Sequence, residues 1–209
     1  MKIVKPKINY LEDYDLYDAC LNEELNDYEF DSNSRSDVKI SDLTIDACKF
    51  NKIDFSNIEF DNVDLLDVVF NNCDLSNKVF DKKMLCRVEF HNCKLLGCSF
   101  IDSTMSDIVF DNCLCKYSNF SGAKMCSISF SSSDLSFANF IESDIKNIEF
   151  DKCNLEKTEF FKVNLKDVDF STCDIGSTIF DSKSLKGIII DSFQCSSLVG
   201  MLGVKIKDN

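Results

Sequence analysis

The sequence is poor in the residues that usually mark turns, with one proline and six glycines among 209 residues. If the chain changes direction often, some other repeated feature must therefore make its turns. It also contains no stretch near the ~20 consecutive apolar residues that cross a membrane. The opening Met-Lys-Ile-Val-Lys-Pro-Lys has no apolar core of the kind found in signal peptides. We expect neither a membrane segment nor a secretion signal.

Groups that carry catalysis or bind metals are equally scarce. His91 is the single histidine, and no paired Cys-x-x-Cys spacing occurs. There is no Ser-His-Asp set and no glycine-rich loop for phosphate. The sequence therefore predicts no enzyme activity, no metal site and no cofactor.

Twelve cysteines are present, but their spacing argues against a disulfide framework. Five of them recur at multiples of twenty residues: Cys73, Cys93, Cys113, Cys153 and Cys173. Free cysteine behaves as a small apolar side chain and often fills protein interiors. We therefore expect reduced thiols, which are typical of a cytoplasmic protein.

A five-residue period dominates the rest of the chain. Every fifth residue from Ile40 to Ile190 is apolar, and phenylalanine occupies every tenth position from Phe50 to Phe180. This period belongs neither to a helix nor to a single strand. It predicts a four-walled coil of about twenty residues, with coils stacked at ~4.8 Å and phenylalanine on two opposite walls. Large side chains are expected to meet small ones across the interior.

Several five-residue units resemble a known family. Cys73–Asn77, Ala138–Glu142 and Cys153–Lys157 are similar to pentapeptide repeats, whose consensus is Ala-(Asp/Asn)-Leu-x-x. The resemblance implies an all-β fold, the right-handed quadrilateral β-helix. We divide the chain into an N-terminal cap and entry to the first coil (1–39), the repeat β-helix (40–190) and a C-terminal helical cap and dimerisation tail (191–209). The first cap is expected to contain a short helical stretch near Tyr14–Glu24.

The C-terminal tail leaves the five-residue register after Ile190. Asp191 or Ser192 can cap a helix, Gly203 can end it, and Val204–Ile206 alternates like a short strand. The tail is expected to cover the last coil and to contact a second copy across a two-fold axis; a monomeric end-cap is the alternative. The residues assigned to the dimer interface are Leu198, Val199, Met201, Leu202, Val204 and Ile206.

The tail carries a second, narrower resemblance. A helix followed by Leu-Gly-Val-x-Ile is similar to the ending of Qnr-type quinolone-resistance proteins and their MfpA relatives, and the chain length and Met-Lys-Ile opening are similar to Gram-positive chromosomal members. The resemblance implies a homodimer that mimics DNA and binds DNA gyrase or topoisomerase IV. Direct binding of nucleic acid is not expected, because the like charges repel, and membrane contact is not expected either. Many Gram-negative members carry loops that interrupt the repeats. No insertion breaks the register between 40 and 190, which favours an inhibitor or modulator.

The net charge of −13 is expected to lie on the exterior. Ordinary solubility is one explanation of such a charge. The other is that a rigid acidic rod occupies a basic groove built for DNA. The carboxylates assigned to this surface recur at intervals of twenty, as Asp54, Asp74, Asp134 and Asp174 on one wall, Glu149 and Asp169 on another, and Asp67, Asp107 and Asp167 along an edge.

Some positions depart from the repeat. Two residues before the central apolar residue of each unit lies a second inward-pointing residue, which is usually small or β-branched; we call this the compact inward position. Lys78 and Lys83 occupy it before Phe80 and Leu85, where a buried amine is unfavourable, so the wall is expected to bulge there. An apolar contact patch is assigned to the outward residues Ile101, Ile141, Phe161, Tyr117 and Phe137. Two other functions stay open: a structural scaffold for protein–protein interaction, and an immunity factor against a gyrase-targeting toxin.

Overall fold

The computed structural model describes residues 2–31 and 38–201 and shows a parallel β-solenoid of about eight turns. The predicted pentapeptide-repeat β-helix is therefore confirmed. Its elements are β1 (Glu12–Asp13), α1 (Leu16–Asn22), β2 (Tyr28–Asp31), β3 (Val38–Ser41), β4 (Thr44–Asp46), β5 (Lys49–Asn51), β6 (Ile58–Asp61), β7 (Asp64–Asn71), β8 (Met84–His91), β9 (Thr104–Asp111), β10 (Lys124–Ser131), β11 (Asp144–Asp151), β12 (Glu159–Phe160), β13 (Ile179–Phe180) and α2 (Cys195–Met201). Neither helix in this part of the chain has the length and hydropathy needed to cross a membrane.

Residues twenty apart lie directly above one another. In the parallel sheet of long strands, Phe90 pairs with Phe110, and Phe110 pairs with Phe130. On a second wall, single bridges connect Asp74 with Lys94 along the same interval. One coil therefore takes twenty residues, and each coil adds one strand spacing of ~4.8 Å to the stack.

The phenylalanines form two columns inside the tube. Within each column the rings stack: the centroids of Phe90 and Phe110 are 5.0 Å apart, and those of Phe100 and Phe120 are 4.9 Å apart. Between the columns, Phe100 meets Phe110 edge to face at 6.3 Å. The expectation that large side chains face small ones is wrong, because the two phenylalanine columns contact each other across the tube. Both ring geometries are favourable for aromatic pairs.

The corners are made by residues in the left-handed backbone region. Every fifth residue from Asp42 to Asp167, except Asn57, has a positive φ, with values between 48° and 68°. Asparagine and aspartate tolerate this conformation better than most side chains, and they occupy many of these corners. The chain therefore turns repeatedly with few glycines. At Tyr117 and Phe137 a bulky aromatic residue adopts the same conformation.

The compact inward position has a second role that the sequence did not reveal. Its thiol or hydroxyl donates to the carbonyl oxygen 23 residues earlier, as Cys98 Sγ does to Leu75 O at 3.0 Å and Ser118 Oγ to Leu95 O at 2.8 Å. Cysteine and serine at this position therefore satisfy a buried carbonyl as well as filling space. All twelve cysteines are free thiols.

The stack begins earlier than residue 40. Strand β2 pairs with β5, and the Phe30 ring stacks on Phe50 with centroids 5.0 Å apart. Leu25 is also buried. The predicted boundary therefore lies inside the solenoid. Before this point, α1 begins after Asp15, whose Oδ1 accepts a hydrogen bond from the Asp18 amide at 3.1 Å.

A first wall opens beside Lys78 and Lys83, as the sequence predicted. The Lys78 amine donates to the Ile58 carbonyl at 2.8 Å, and the Lys83 amine donates to the Asn62 side chain. Burial lowers the pKa of Lys78. In the described part of the chain, β6 pairs with β3 on one side and with no strand of the next coil. Both amines thereby avoid the apolar interior.

At the other end, α2 is fastened to the last coils by a polar anchor. Asp191 Oδ1 accepts hydrogen bonds from the amides of Phe193 (2.8 Å) and Gln194 (2.9 Å). The Gln194 side chain in turn donates to the carbonyls of Phe170 and Cys173 at 2.9 and 2.8 Å. The predicted tail residues Leu202, Gly203, Val204 and Ile206 lie outside the described residues.

Candidate protein-binding surface

The first predicted column of carboxylates runs up one wall. Backbone bridges link Asp54 with Asp74, and Asn154 with both Asp134 and Asp174. Asp54 and Asp174 are exposed, whereas Asp74 and Asp134 are half-buried. The wall therefore presents carboxylates near both ends of the solenoid.

Lysines partly neutralise the two central carboxylates of this column. Lys94 Nζ lies 3.3 Å from Asp74 Oδ2, and Lys116 Nζ lies 3.2 Å from Asp134 Oδ2. Burial raises the pKa of Asp74, but hydrogen bonds from Ser76 and Lys94 outweigh it and lower the pKa below its ordinary value. Asp74 stays ionised at neutral pH, while the neighbouring lysine weakens its outward field.

The predicted edge column requires a correction at Asp67. Asp67 is buried, with 6% of its surface exposed, and is therefore not part of the open acidic surface. The Arg87 guanidinium pairs with both carboxylate oxygens, Nε to Oδ1 at 2.5 Å and Nη2 to Oδ2 at 2.6 Å. This pair lowers the pKa of Asp67 although burial opposes it. Asp167, by contrast, is exposed.

The N-terminal segment lies along the same edge. We call residues 2–8 the N-terminal strap. The Lys7 amide donates to Asp67 Oδ1 at 2.7 Å, and the Val4 amide donates to Asp107 Oδ1 at 2.9 Å. The two carboxylates are two coils (roughly 10 Å) apart, which three extended residues span. The strap therefore runs parallel to the solenoid axis and removes Asp67 and Asp107 from the open acidic surface. Nothing in the repeat pattern indicated it.

Three other predicted carboxylates come together at a cleft. Glu149, Asp167 and Asp169 line a cavity of about 630 Å³, together with Asp151. We call it the β11 cleft, because it lies between β11 and residues 164–169. Ile145 is half-buried here, although the central residues below it in the long strands are at most 1% exposed. The cleft is therefore a second opening of the wall.

Hydrogen bonding shows how this wall separates. The sheet of long strands ends at β11 in the described residues. The next coil bonds upward instead: the Asp167 amide donates to Gly187 O at 2.8 Å, and the Phe170 amide donates to Ile189 O at 2.8 Å. The last coils therefore stay paired with one another while separating from β11.

Charge stacking gives a physical reason for this opening. At the twenty-residue interval, Lys166 would lie above Lys146, and Asp169 above Glu149. Like charges directly opposite in a sheet are destabilising. This signal can be read from the sequence once the interval of twenty is known.

The predicted apolar patch separates into two groups. The Tyr117 and Phe137 rings stack with centroids 5.0 Å apart, and Lys157 Nζ lies 4.9 Å from the Phe137 centroid. Tyr117 is 61% exposed and Phe137 38% exposed. The second group is half-buried and consists of Ile101, Ile141 and Phe161. The accessible part of the patch is therefore the aromatic corner.

Histidine and cysteine form no site of their own in residues 2–31 and 38–201. His91 Nε2 lies 3.0 Å from Glu89 Oε2, and its Nδ1 lies 3.5 Å from Asp111 Oδ2. No group of three or more potential metal ligands is found there. Burial raises the pKa of the Cys48 and Cys98 thiols to about 12, which makes both poor nucleophiles at neutral pH.

The described part of the predicted dimer interface packs on the last coil. Leu198 is buried and Val199 is half-buried. Both line an apolar pocket of about 290 Å³ with Leu185, Ile188 and Ile190. Phe193, just before α2, is 87% exposed. The solenoid therefore presents apolar surface at its C-terminal end.

Comparison with known proteins gives family and fold. Two family models match, "Pentapeptide repeat region" at residues 63–140 and "Pentapeptide repeats (8 copies)" at 42–77. No curated protein matches the sequence. Among solved structures, a trypsin-treated variant of QnrB1, a plasmid-mediated fluoroquinolone resistance protein, is 22% identical, with 87% of this chain and 89% of that chain covered and a TM-score of 0.41.

Two further solved structures have different biological settings. HetL, involved in heterocyst differentiation regulation in the cyanobacterium Nostoc, is 15% identical, with coverages of 80% and 89% and a TM-score of 0.32. A pentapeptide repeat protein of the Arabidopsis thaliana thylakoid lumen is 19% identical, with coverages of 61% and 85% and a TM-score of 0.29. Such likenesses identify no activity. With its repeat register, its stacked twenty-residue coils and both family models in agreement, the chain belongs to the pentapeptide-repeat family.

Proposed function

We propose that this protein mimics DNA and binds a type II topoisomerase, DNA gyrase or topoisomerase IV. Binding would modulate the enzyme and confer quinolone resistance, as in the Qnr-type proteins that the tail resembles. The observation that carries the proposal is a parallel solenoid of about eight coils with a net charge of −13. At ~4.8 Å per coil the stack is about 40 Å long, or roughly one net charge per 3 Å. Duplex DNA has one charge per ~1.7 Å.

Stiffness supports the same proposal. A DNA mimic must hold its charges at fixed spacing, since a flexible acidic chain pays an entropic cost on binding. The stacked rings and the continuous parallel ladders keep the central coils aligned, with Phe90, Phe110 and Phe130 in one column.

The contact surface that we propose contains fewer carboxylates than the set predicted from the sequence. Asp67 and Asp107 are held by the strap, and lysines partly neutralise Asp74 and Asp134. The exposed carboxylates that remain from the predicted set are Asp54, Glu149, Asp167, Asp169 and Asp174. A basic groove would meet these residues first, and rim charges of this kind mainly govern the association rate.

A homodimer is part of the proposal. The exposed Phe193 and the apolar pocket under α2 leave hydrophobic surface at one end of the rod. Joining two copies through these ends would cover that surface and double the length of the acidic rod. A cytoplasmic location follows from the proposed partner, which acts on chromosomal DNA.

Gyrase supercoiling with and without ciprofloxacin, titrated with this protein at two salt concentrations, tests the proposal. We expect supercoiling or drug poisoning to change at micromolar protein, and the effect to weaken as salt rises. The double variant Asp54→Asn/Asp174→Asn should need roughly tenfold more protein. The matched control Asp13→Asn/Asp31→Asn changes the net charge equally but at the N-terminal end, and should retain the wild-type effect.

The aromatic corner favours a second candidate, a scaffold that binds another protein. Tyr117 and Phe137 are stacked and exposed in the middle of the rod, and a nucleic-acid mimic has no evident need for them. If the protein leaves gyrase unaffected at micromolar concentration, the scaffold becomes the better explanation. Restoration of supercoiling in the presence of a gyrase toxin would instead indicate an immunity factor.

A further inference from the structure

The upper edge of β11 lacks the strand that its register calls for. Elsewhere in the stack the central residue of a unit donates to the coil above, as Leu95 N does to Leu114 O at 2.8 Å. By the same register Ile145 N would donate to Asn164 O, but the described residues contain no such bond. Exposed edges of this kind accept additional strands, because their backbone groups still need partners.

The lining of the β11 cleft indicates which strand would fit. Ile145, Ile148 and Val168 form its apolar side. Four carboxylates (Glu149, Asp151, Asp167 and Asp169) and one amine (Lys166) line it as well. Successive side chains of a strand point to opposite faces. A strand added to β11 would therefore place one set of side chains against the apolar residues and the other set among the carboxylates.

We propose that the β11 cleft binds an extended basic segment of a partner protein, which adds to β11 as a strand. Alternate residues of the segment are small and apolar, and the residues between them are lysine or arginine. Backbone bonds to β11 provide the affinity, and the carboxylates select the basic side chains. The inference does not depend on the proposed topoisomerase, because the cleft recognises the segment whichever protein carries it.

The test uses a fluorescein-labelled Val-Lys-Val-Lys-Val-Lys peptide and the full chain. We expect saturable binding by fluorescence anisotropy and slower hydrogen exchange at Ile145 and Asn147. A Val-Glu-Val-Glu-Val-Glu peptide should bind at least tenfold more weakly, because the carboxylates repel it. A Val-Lys peptide with N-methylated amides should lose a similar factor, since it cannot complete the backbone bonds.

A matched pair of variants separates the cleft from general charge attraction. Asp167→Asn/Asp169→Asn should weaken peptide binding about tenfold. Asp102→Asn/Glu156→Gln removes the same charge outside the cleft and should stay within about twofold of wild type. Both pairs alter polar groups at exposed positions, so folding should be preserved.

Two results would overturn the proposal. One is equal binding of the N-methylated peptide, or equal weakening by both variant pairs, which would show attraction to the acidic surface at large. The other is absence of binding at millimolar peptide together with unchanged exchange at Ile145 and Asn147. Neither outcome would affect the supercoiling test, so the two proposals fail separately.

Discussion

At the scale of single residues, the structure depends on aromatic side chains that have no contact with water. Phe120 is fully buried, and its ring centroid lies 4.9 Å from that of Phe100 and 4.7 Å from that of Phe140. Because each ring supports the next, a missing ring leaves a cavity in the middle of the stack rather than at an end.

Phe120→Ala should therefore lower the free energy of unfolding by about 3–5 kcal/mol. The surface control Tyr10→Ala removes an aromatic side chain from a 74% exposed position away from the proposed dimer contact and should change stability by less than about 0.5 kcal/mol. Urea unfolding followed by circular dichroism measures both. A loss at Phe120 no larger than at Tyr10 would contradict the packing described above.

Asp67, one of the two carboxylates that bind the strap, also forms an ion pair with Arg87. Asp67→Asn should reduce the free energy of unfolding by about 1–3 kcal/mol and speed hydrogen exchange at the Lys7 amide, because Arg87 and Lys7 both bind the charged carboxylate. The pKa of Asp67 is lowered in the folded protein, so its contribution is complete above the unfolded value of ~3.9. It is lost as pH falls through the folded pKa.

The stability difference between wild type and Asp67→Asn should therefore be constant from neutral pH down to about pH 5 and shrink at lower pH. Asp107→Asn is the matched control, since it removes the same charge and weakens the hydrogen bond from the Val4 amide while the pair between Asp67 and Arg87 stays intact. Identical exchange at Lys7 in wild type and Asp67→Asn would show that the strap is held by other contacts.

Among the structural elements, the regular walls of the solenoid could be predicted from the sequence. The openings in the walls and the N-terminal strap could be predicted only in part. The buried series, for example Phe90 and Leu95, follows directly from the five-residue period, because one residue per unit must face the interior. The opening at Lys78 could also be predicted, since a charged amine is unfavourable in the apolar interior. The strap carries no period, and its placement depends on Asp67 and Arg87, which lie far from it in sequence.

The β11 cleft could not be predicted from the five-residue period. Ile145 keeps the apolar register, so the period alone predicts a closed wall there. We attribute the opening to pairs of like charges twenty residues apart, such as Lys146 with Lys166, which act only after coils have stacked. Its acidic lining was correctly assigned to the exterior at Glu149 and Asp169, although their convergence on one cleft was not foreseen.

Reversing the charges of the upper coil should close this wall. Lys166→Glu/Asp169→Lys leaves the net charge unchanged and places opposite charges above Lys146 and Glu149. We expect slower hydrogen exchange at Ile145, because the missing ladder can then form. The single variant Lys166→Glu keeps Asp169 above Glu149, and it should protect Ile145 less. Unchanged exchange in the double variant would mean that like charges do not cause the opening.

At the scale of the whole molecule, the two ends differ in what they expose. The N-terminal end is covered by α1 and by the first coil around Phe30, whereas the C-terminal end presents Phe193. If the proposed homodimer forms through this end, Phe193→Glu should halve the mass measured by light scattering. Tyr10→Glu, at a residue 74% exposed elsewhere on the molecule, should not change the mass. A dimer that survives Phe193→Glu would place the interface elsewhere.

As a DNA mimic, the acidic rod is proposed to occupy the site of DNA on a topoisomerase. The decisive experiment is displacement of a fluorescent DNA duplex from gyrase by this protein, measured at several salt concentrations between 50 and 200 mM. We predict complete competitive displacement, with an apparent affinity that falls linearly on a log–log plot against salt. Simultaneous binding of duplex and protein to gyrase, or no displacement at the highest soluble concentration, would contradict the claim.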